Sequence, residues 1–212
     1  MDEAGNAAGL TRKERERLAH RQEILEAAER VFARNGYHGS TVEQIAQEAE
    51  FAVGTIYNFF RGKEELYEEV LAGLAEEFMG AFRDQVVSQE DPVAAIGALI
   101  ELRLTMFEKH RGFARAFFES MMGGHVDVAM GLPERMQSLY QEGVKAVTGI
   151  FERGIRTGRF VDVDPLYLTL CLHGVMNAFL AYWSRVEPEE SLEARVVKFK
   201  EMFIGRLLRG DA

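Results

Sequence analysis

The sequence predicts an all-α protein. Three observations lead there. Apolar residues recur at spacings of three and four, prolines and glycines fall where helices start and stop, and no segment alternates with the period of two that a half-buried strand requires. A chain of 212 residues is long enough to bury a substantial core in one or two domains.

Residues 1–10 are small and mostly polar, which predicts disorder. The first helix is expected from Lys13 to Asn35. Its apolar positions are Leu18, Ile24, Leu25, Ala28, Val31 and Phe32, and Asn35-Gly36 is a natural C-cap pair. Thr41 starts the second helix, with Gln44 as its reciprocal capping partner and Val42, Ile45, Ala46 and Ala49 on one face. The third, about Ala52 to Phe60, carries no formal charge; its polar side chains are Thr55, Tyr57 and Asn58. The fourth begins near Lys63 and continues through Leu66, Tyr67, Val70, Leu71, Leu74 and Phe78, linking the N-terminal part to the rest.

Asp91-Pro92 opens a helix that reaches about His110, where Arg111-Gly112 breaks it. Phe113 to Met122 reads as a short aromatic helix ending at Gly123-Gly124. Pro133 starts one that reaches Arg156, Pro165 starts another to about Val186, and Ser191 caps the last, to about Leu208. No repeat or low-complexity tract interrupts this series.

Composition narrows the function. The N-terminus lacks the basic start and apolar core of a signal peptide, and a single cysteine, Cys171, fits a reducing cytoplasm. Its mid-helix apolar setting predicts an inert buried thiol. The net charge of −9 argues against indiscriminate coating of nucleic acid. Thr11 to Lys63 holds nine Lys/Arg against eight Glu, so the acidity lies outside that segment.

The stretch Thr41 to Lys63 carries the strongest signal. A solvated helix without charges is unusual, and the charge-free third helix suits a face that meets a DNA major groove. Thr41-Val42-x-x-Ile45-Ala46-x-x-Ala49, Val53-Gly54-Thr55-Ile56-Tyr57-x-x-Phe60 and Lys63-Glu64-x-Leu66 together resemble the DNA-binding region of tetracycline-repressor-type (TetR) regulators. Ile24-Leu25-x-Ala27-Ala28-x-x-Val31-Phe32-x-x-x-Gly36-Tyr37 resembles the first helix of that family. The resemblance covers roughly residues 20–70. It implies a helix-turn-helix DNA-binding domain over 13–62, preceded by a disordered or basic start over 1–12. A helical effector-binding and dimerisation domain is then expected over 63–212.

By resemblance, Val53, Gly54, Thr55, Tyr57 and Phe59 face DNA, with Asn58 a further candidate. Val53 suits a thymine methyl, Gly54 permits close backbone approach, and the Tyr57 hydroxyl suits a phosphate. Thr41 and Lys63 stand at helix N-termini, where backbone N–H groups favour phosphate. Ile45, Ala46, Ile56, Phe60 and Leu66 are expected in the core. Arg12-Lys13-x-Arg15-x-Arg17 resembles the basic arm preceding the first helix, although Glu14 and Glu16 equally suit an ordinary solvated helix start. Three positions depart from the family pattern. Glu50 replaces the usual turn glycine and costs on the order of 1 kcal/mol if φ is positive there. Phe51 replaces a smaller aliphatic residue, and Ala52 replaces a capping Ser or Thr.

In the C-terminal half, bulky side chains include Phe78, Phe82, Met106, Phe107, Phe113, Phe117, Phe118, Met121, Met122, Met136, Tyr140 and Phe179. The resemblance implies an effector pocket among these helices. Candidate ligand contacts are Phe78, Arg103, Met106, Phe107, His110, Phe117, Met121, Tyr140, His173 and Asn177; His125 is another polar candidate. For Arg103, a carboxylate-holding role competes with a solvated head above an apolar stem. Leu166 to Trp183 is an uncharged run approaching a membrane span in length. Its polar stripe Thr169, His173 and Asn177 and the lack of flanking basic clusters predict a doubly buried soluble helix instead. Gly174, Ala178 and Ala181 form a small-residue face, and Leu192, Val196, Phe199, Phe203 and Leu207 form a seam on the last helix. The resemblance implies that these two helices pair across a homodimer.

No phosphate-cradling loop, nucleophile elbow or metal-spaced His/Cys cluster is visible, so neither enzyme activity nor a cofactor is expected. The reading is a dimeric, ligand-responsive DNA-binding regulator. It is expected to be a repressor of a palindromic double-stranded operator, released by a small, largely hydrophobic or amphipathic effector. The alternative is a small-molecule-binding helical protein whose DNA-binding head is weak or vestigial.

Overall fold

The computed structural model describes residues 10–121 and 134–207. Among these residues the chain forms nine α-helices and no strand. It divides into two compact units, one ending at Leu71 and the other beginning at Ala72. The division therefore falls inside the fourth helix rather than at its start.

In the first unit, α1 spans Arg12–Gly39, α2 Val42–Glu48 and α3 Val53–Tyr57, and α4 begins at Lys63. Thr11 caps α1 through a reciprocal pair: its Oγ1 accepts the Glu14 N–H at 3.3 Å, and Glu14 accepts the Thr11 N–H at 2.7 Å. Arg12, Lys13, Arg15 and Arg17 thus form the first turns of α1, not an arm ahead of it. Helical geometry breaks at Gly36, with φ 71° and ψ 171°, where the sequence placed the stop. Ile24, Ala27, Ala28, Val31 and Phe32 of α1 are buried, as are Val42, Ile45, Ala46, Ile56, Phe60 and Leu66.

In the second unit, α4 ends at Phe82 and passes into a π-helical segment, Arg83–Val87. Then follow α5 (Pro92–Lys109), α6 (Arg111–Met121), α7 (Glu134–Arg156), α8 (Pro165–Trp183) and α9 (Leu192–Leu207). Asp91, Asp164 and Ser191 cap α5, α8 and α9 by accepting early backbone N–H groups. The break between α5 and α6 lies at His110, with Gly112 inside α6. α5 is central: it packs on α6, α7, α9 and the π segment, and nine of its residues are buried. Gly154 lies against the Phe160 ring, where a β-carbon would stand 2.1 Å from Cδ2.

Three expectations about the last helices change. α8 is not doubly buried: it is long and apolar enough to cross a membrane, yet only 28% of that window is buried. Its polar stripe points inward instead, with Thr169 fully buried and 3.1 Å from Thr148 Oγ1. Leu166, Tyr167, Leu170, Phe179 and Tyr182 stand exposed, alongside Gly174 and Ala178. Cys171 lies on this exposed stripe, so it is not a buried thiol. The α9 seam packs inward on the unit's own core: Val196 and Phe199 are buried, and Leu192, Phe203 and Leu207 lie against the core. The exposed apolar residues of α9 are Val197 and Met202.

Candidate DNA-reading surface and effector cluster

The helix-turn-helix is held from beneath. Ile56 and Phe60 are buried, which fixes the rotation of α3 and turns Gly54, Tyr57 and Asn58 to solvent. Tyr57 is 54% exposed, a high value for a large aromatic ring on a folded surface. Val53, Thr55 and Phe59 are half-buried at the rim. A β-carbon at Gly54 would meet nothing within 4 Å, so this glycine leaves a free approach to the backbone. α3 is shorter than expected; the chain turns through Asn58 and Phe59 rather than continuing the helix to Phe60.

Glu50 takes φ 59°, the left-handed conformation that glycine normally supplies. Ala52 makes no side-chain cap at the start of α3. Phe51 is half-buried, with its ring edge-on to His20 at 5.1 Å. Thr41 is exposed but engaged: its Oγ1 accepts the Gln44 N–H at 3.2 Å, and the Gln44 amide oxygen accepts the Thr41 N–H at 3.0 Å.

Lys63 differs most from its expected role. Its ammonium donates to the Tyr37 carbonyl at 2.9 Å and the Ser40 carbonyl at 3.0 Å, and sits 4.6 Å from the Tyr37 ring centroid. It ties the chain after the Gly36 break to the start of α4, instead of standing free for a phosphate. Arg17, one of the residues of the basic arm expected from the sequence, sits on α1 with its guanidinium 5.7 Å from the Phe59 centroid. Arg21 lies over Phe60 at 5.1 Å and pairs with Glu69 at 2.5 Å. Arg30 and Arg34 clasp Glu48, holding its carboxyl down at about 2.

In the second unit, four of the ten ligand candidates converge. Arg103 of α5 donates from Nη2 to Asn177 Oδ1 of α8 at 2.5 Å. His173, one turn before Asn177, stands 6.0 Å ring to ring from Tyr140 of α7. Burial, with a smaller contribution from the Arg103 charge, pushes His173 down to about 3, so it is neutral at ordinary pH. Burial also lowers Arg103, to about 10, which leaves it cationic. Its head is part-buried and hydrogen-bonded to Asn177 rather than fully solvated.

The other candidates lie elsewhere or do structural duty. Phe107 is in the core, with Phe78 and Met106 packed against it. His110 Nε2 is 3.4 Å from Glu77. Phe117 meets Phe118 edge-on at 5.5 Å. Met121 closes α6, but its side chain, like Met122 and His125, lies outside the described residues. Phe179 packs with Trp183 and Phe199, at 5.3 and 5.0 Å, beside an outward groove of about 470 Å³. Arg195 is the polar residue missed on α9. It is buried, pairs with Glu108 at 2.6 Å and lies 5.0 Å from the Trp183 centroid. Its position three residues after Leu192 and four before Phe199 places it on the seam's own face, and that spacing was the available signal.

A helix-turn-helix in the first unit and a wholly helical second unit among the described residues form an architecture similar to that of helix-turn-helix transcriptional regulators. Residues 24–70 match the family model of bacterial regulatory proteins of the tetR family. The HTH-type transcriptional regulator YhgD of Bacillus subtilis is 28% identical over 169 residues, covering 78% of this chain and 84% of its own. The structure of the ketosteroid transcriptional regulator KstR2 of Mycobacterium tuberculosis aligns with TM-score 0.70 and 22% identity, covering 90% and 95% of the two chains. FadR of Bacillus subtilis, in complex with stearoyl-CoA, aligns with TM-score 0.70 and 20% identity over 86% and 97%. Residues 24–70 are thus similar to the DNA-binding region of tetR-family regulators, and most of the chain is similar to transcriptional regulators of that kind.

Proposed function

We propose that the protein is a homodimeric, effector-controlled repressor that acts in the cytoplasm. Each protomer lays α3 in the major groove of one half of a palindromic operator. The exposed, charge-free face of Gly54, Tyr57 and Asn58, braced by buried Ile56 and Phe60, carries this reading. Val53, Thr55 and Phe59 flank it, and Thr41 borders it at the α2 terminus. The two reading helices must stand one DNA turn apart, ~34–36 Å. A small hydrophobic or amphipathic effector that favours another spacing moves the population off the operator. α4 is continuous from one unit into the other and is the natural link. The stearoyl-CoA complex of the FadR relative supports a ligand-holding body.

The outward apolar residues of α8, with Val197 and Met202 of α9, support pairing with a second copy. This also accounts for an oily outer face without a membrane. Selection from random duplexes, followed by anisotropy titration across salt, tests the function. A palindromic site with steep salt dependence is expected. Absence of sequence-selective binding at low salt, with and without extraction of retained compounds, overturns it. That outcome would favour the second reading, a ligand-binding protein with a weakened head, which the strained Glu50 motivates.

A further inference from the structure

The part-buried guanidinium of Arg103 on α5 meets no anion among the described residues. Among the described residues no carboxylate pairs with Arg103, and its one hydrogen bond is from Nη2 to the neutral Asn177 amide. The acids of α5 are engaged elsewhere: Glu101 pairs with Lys200 at 2.8 Å, and Glu108 with Arg195 and Arg111. An arginine presents five N–H donors in a rigid fork, so most of this fork is unused.

The unused part keeps accessible surface. Arg195 illustrates the opposite case: its Nε and Nη1 are sealed and unsatisfied. Arg103 Nε and Nη1 likewise have no acceptor, yet they are not sealed. Arg103, Tyr140, His173 and Asn177 all keep partial accessible surface, although burial shifts Arg103 and His173 strongly. All four side chains are part-buried, and Arg103 stays within reach of an incoming anion. A buried charge without a counter-charge is costly, and the cost is recovered when an anion binds. Neutral His173 adds no second cation, which sets the site at one positive charge.

We infer that Arg103, held by Asn177 and flanked by His173 and Tyr140, is the anchor for the acidic head of the effector, a carboxylate on an otherwise apolar molecule. This rests on the effector-controlled reading above and adds the chemistry of the ligand. The Arg103 fork takes the carboxylate oxygens, the His173 ring and the Tyr140 ring flank them, and the apolar remainder lies among the surrounding helices.

The test is calorimetric titration of the full chain with hexanoate, octanoate, decanoate and naphthoate, each against its primary alcohol. At least one acid should bind on the order of ten- to a hundredfold tighter than its alcohol. Arg103→Met should erase that preference and Arg103→Lys should keep part of it. The ligand-free Arg103→Met melting temperature should be unchanged or raised, because an uncompensated cation is removed. Equal binding of acids and alcohols, a preference that survives Arg103→Met, or no binding of either series overturns the inference. The wild-type ratio decides the matter even if the methionine variant fails to fold. Operator release is read separately. An acid that binds through Arg103 without altering operator affinity sinks the effector reading and leaves the anion site standing.

Discussion

Glu50 is the residue at which the chain departs most clearly from conformational ease. Its φ of 59° costs a side-chain-bearing residue about 1 kcal/mol relative to glycine. Glu50→Gly should therefore raise the unfolding free energy of the first unit by about 1 kcal/mol, read as a higher denaturant midpoint with no change in slope; a drop in midpoint would show that the carboxylate contributes more than the strain costs. His173 makes the second residue-level prediction. Its folded pKa of about 3 lies below the ordinary value of 6.5, so the unfolded chain takes up a proton that the folded chain refuses. This contribution to stability is fully present above pH 6.5 and is lost as pH falls towards 3. The loss has a slope of at most about 1.4 kcal/mol per pH unit. Denaturation of the wild type and of His173→Gln across that window should show a shallower acid loss in the variant.

Single helices depend on contacts that differ in how visible they are to a sequence reader. Caps are local, and Thr41 with Gln44, Asp91 before Pro92, and Ser191 all sit where their spacing placed them. The Lys63 clamp is not local. Its two acceptors lie 26 and 23 residues away, and a lysine at a helix N-terminus gives no sign that its ammonium is committed to backbone carbonyls. Lys63→Met should destabilise the first unit by about 1–3 kcal/mol and leave the salt slope of DNA binding nearly unchanged. A slope reduced by a full unit without loss of stability would restore the phosphate contact. The orientation of α8 was equally hidden: three polar residues at four-residue spacing mark a stripe, but periodicity cannot say which side is inward. The partners Arg103, Tyr140 and Thr148, on other helices, decide it. Gly154→Ala is a plain packing test. The added methyl group overlaps the Phe160 ring, and melting should reveal a loss of about 1–3 kcal/mol.

For the molecule entire, the decisive feature is an apolar outer face on a chain with a net charge of −9. Leu170 is 48% exposed in the middle of the α8 stripe. Leu170→Glu should weaken self-association on the order of a hundredfold or more, seen by sedimentation, and operator affinity should fall with it. Wild-type protein that sediments as a monomer at micromolar concentration would remove the dimer from the account. The inverted helix also bears on supply. Under the proposed pairing, a freshly made chain carries its greasiest strip outermost until it meets a sister, and scarcity would leave it prone to clumping and to proteases. On that proposal, dosage becomes a condition for survival of the polypeptide as well as for occupancy of its target.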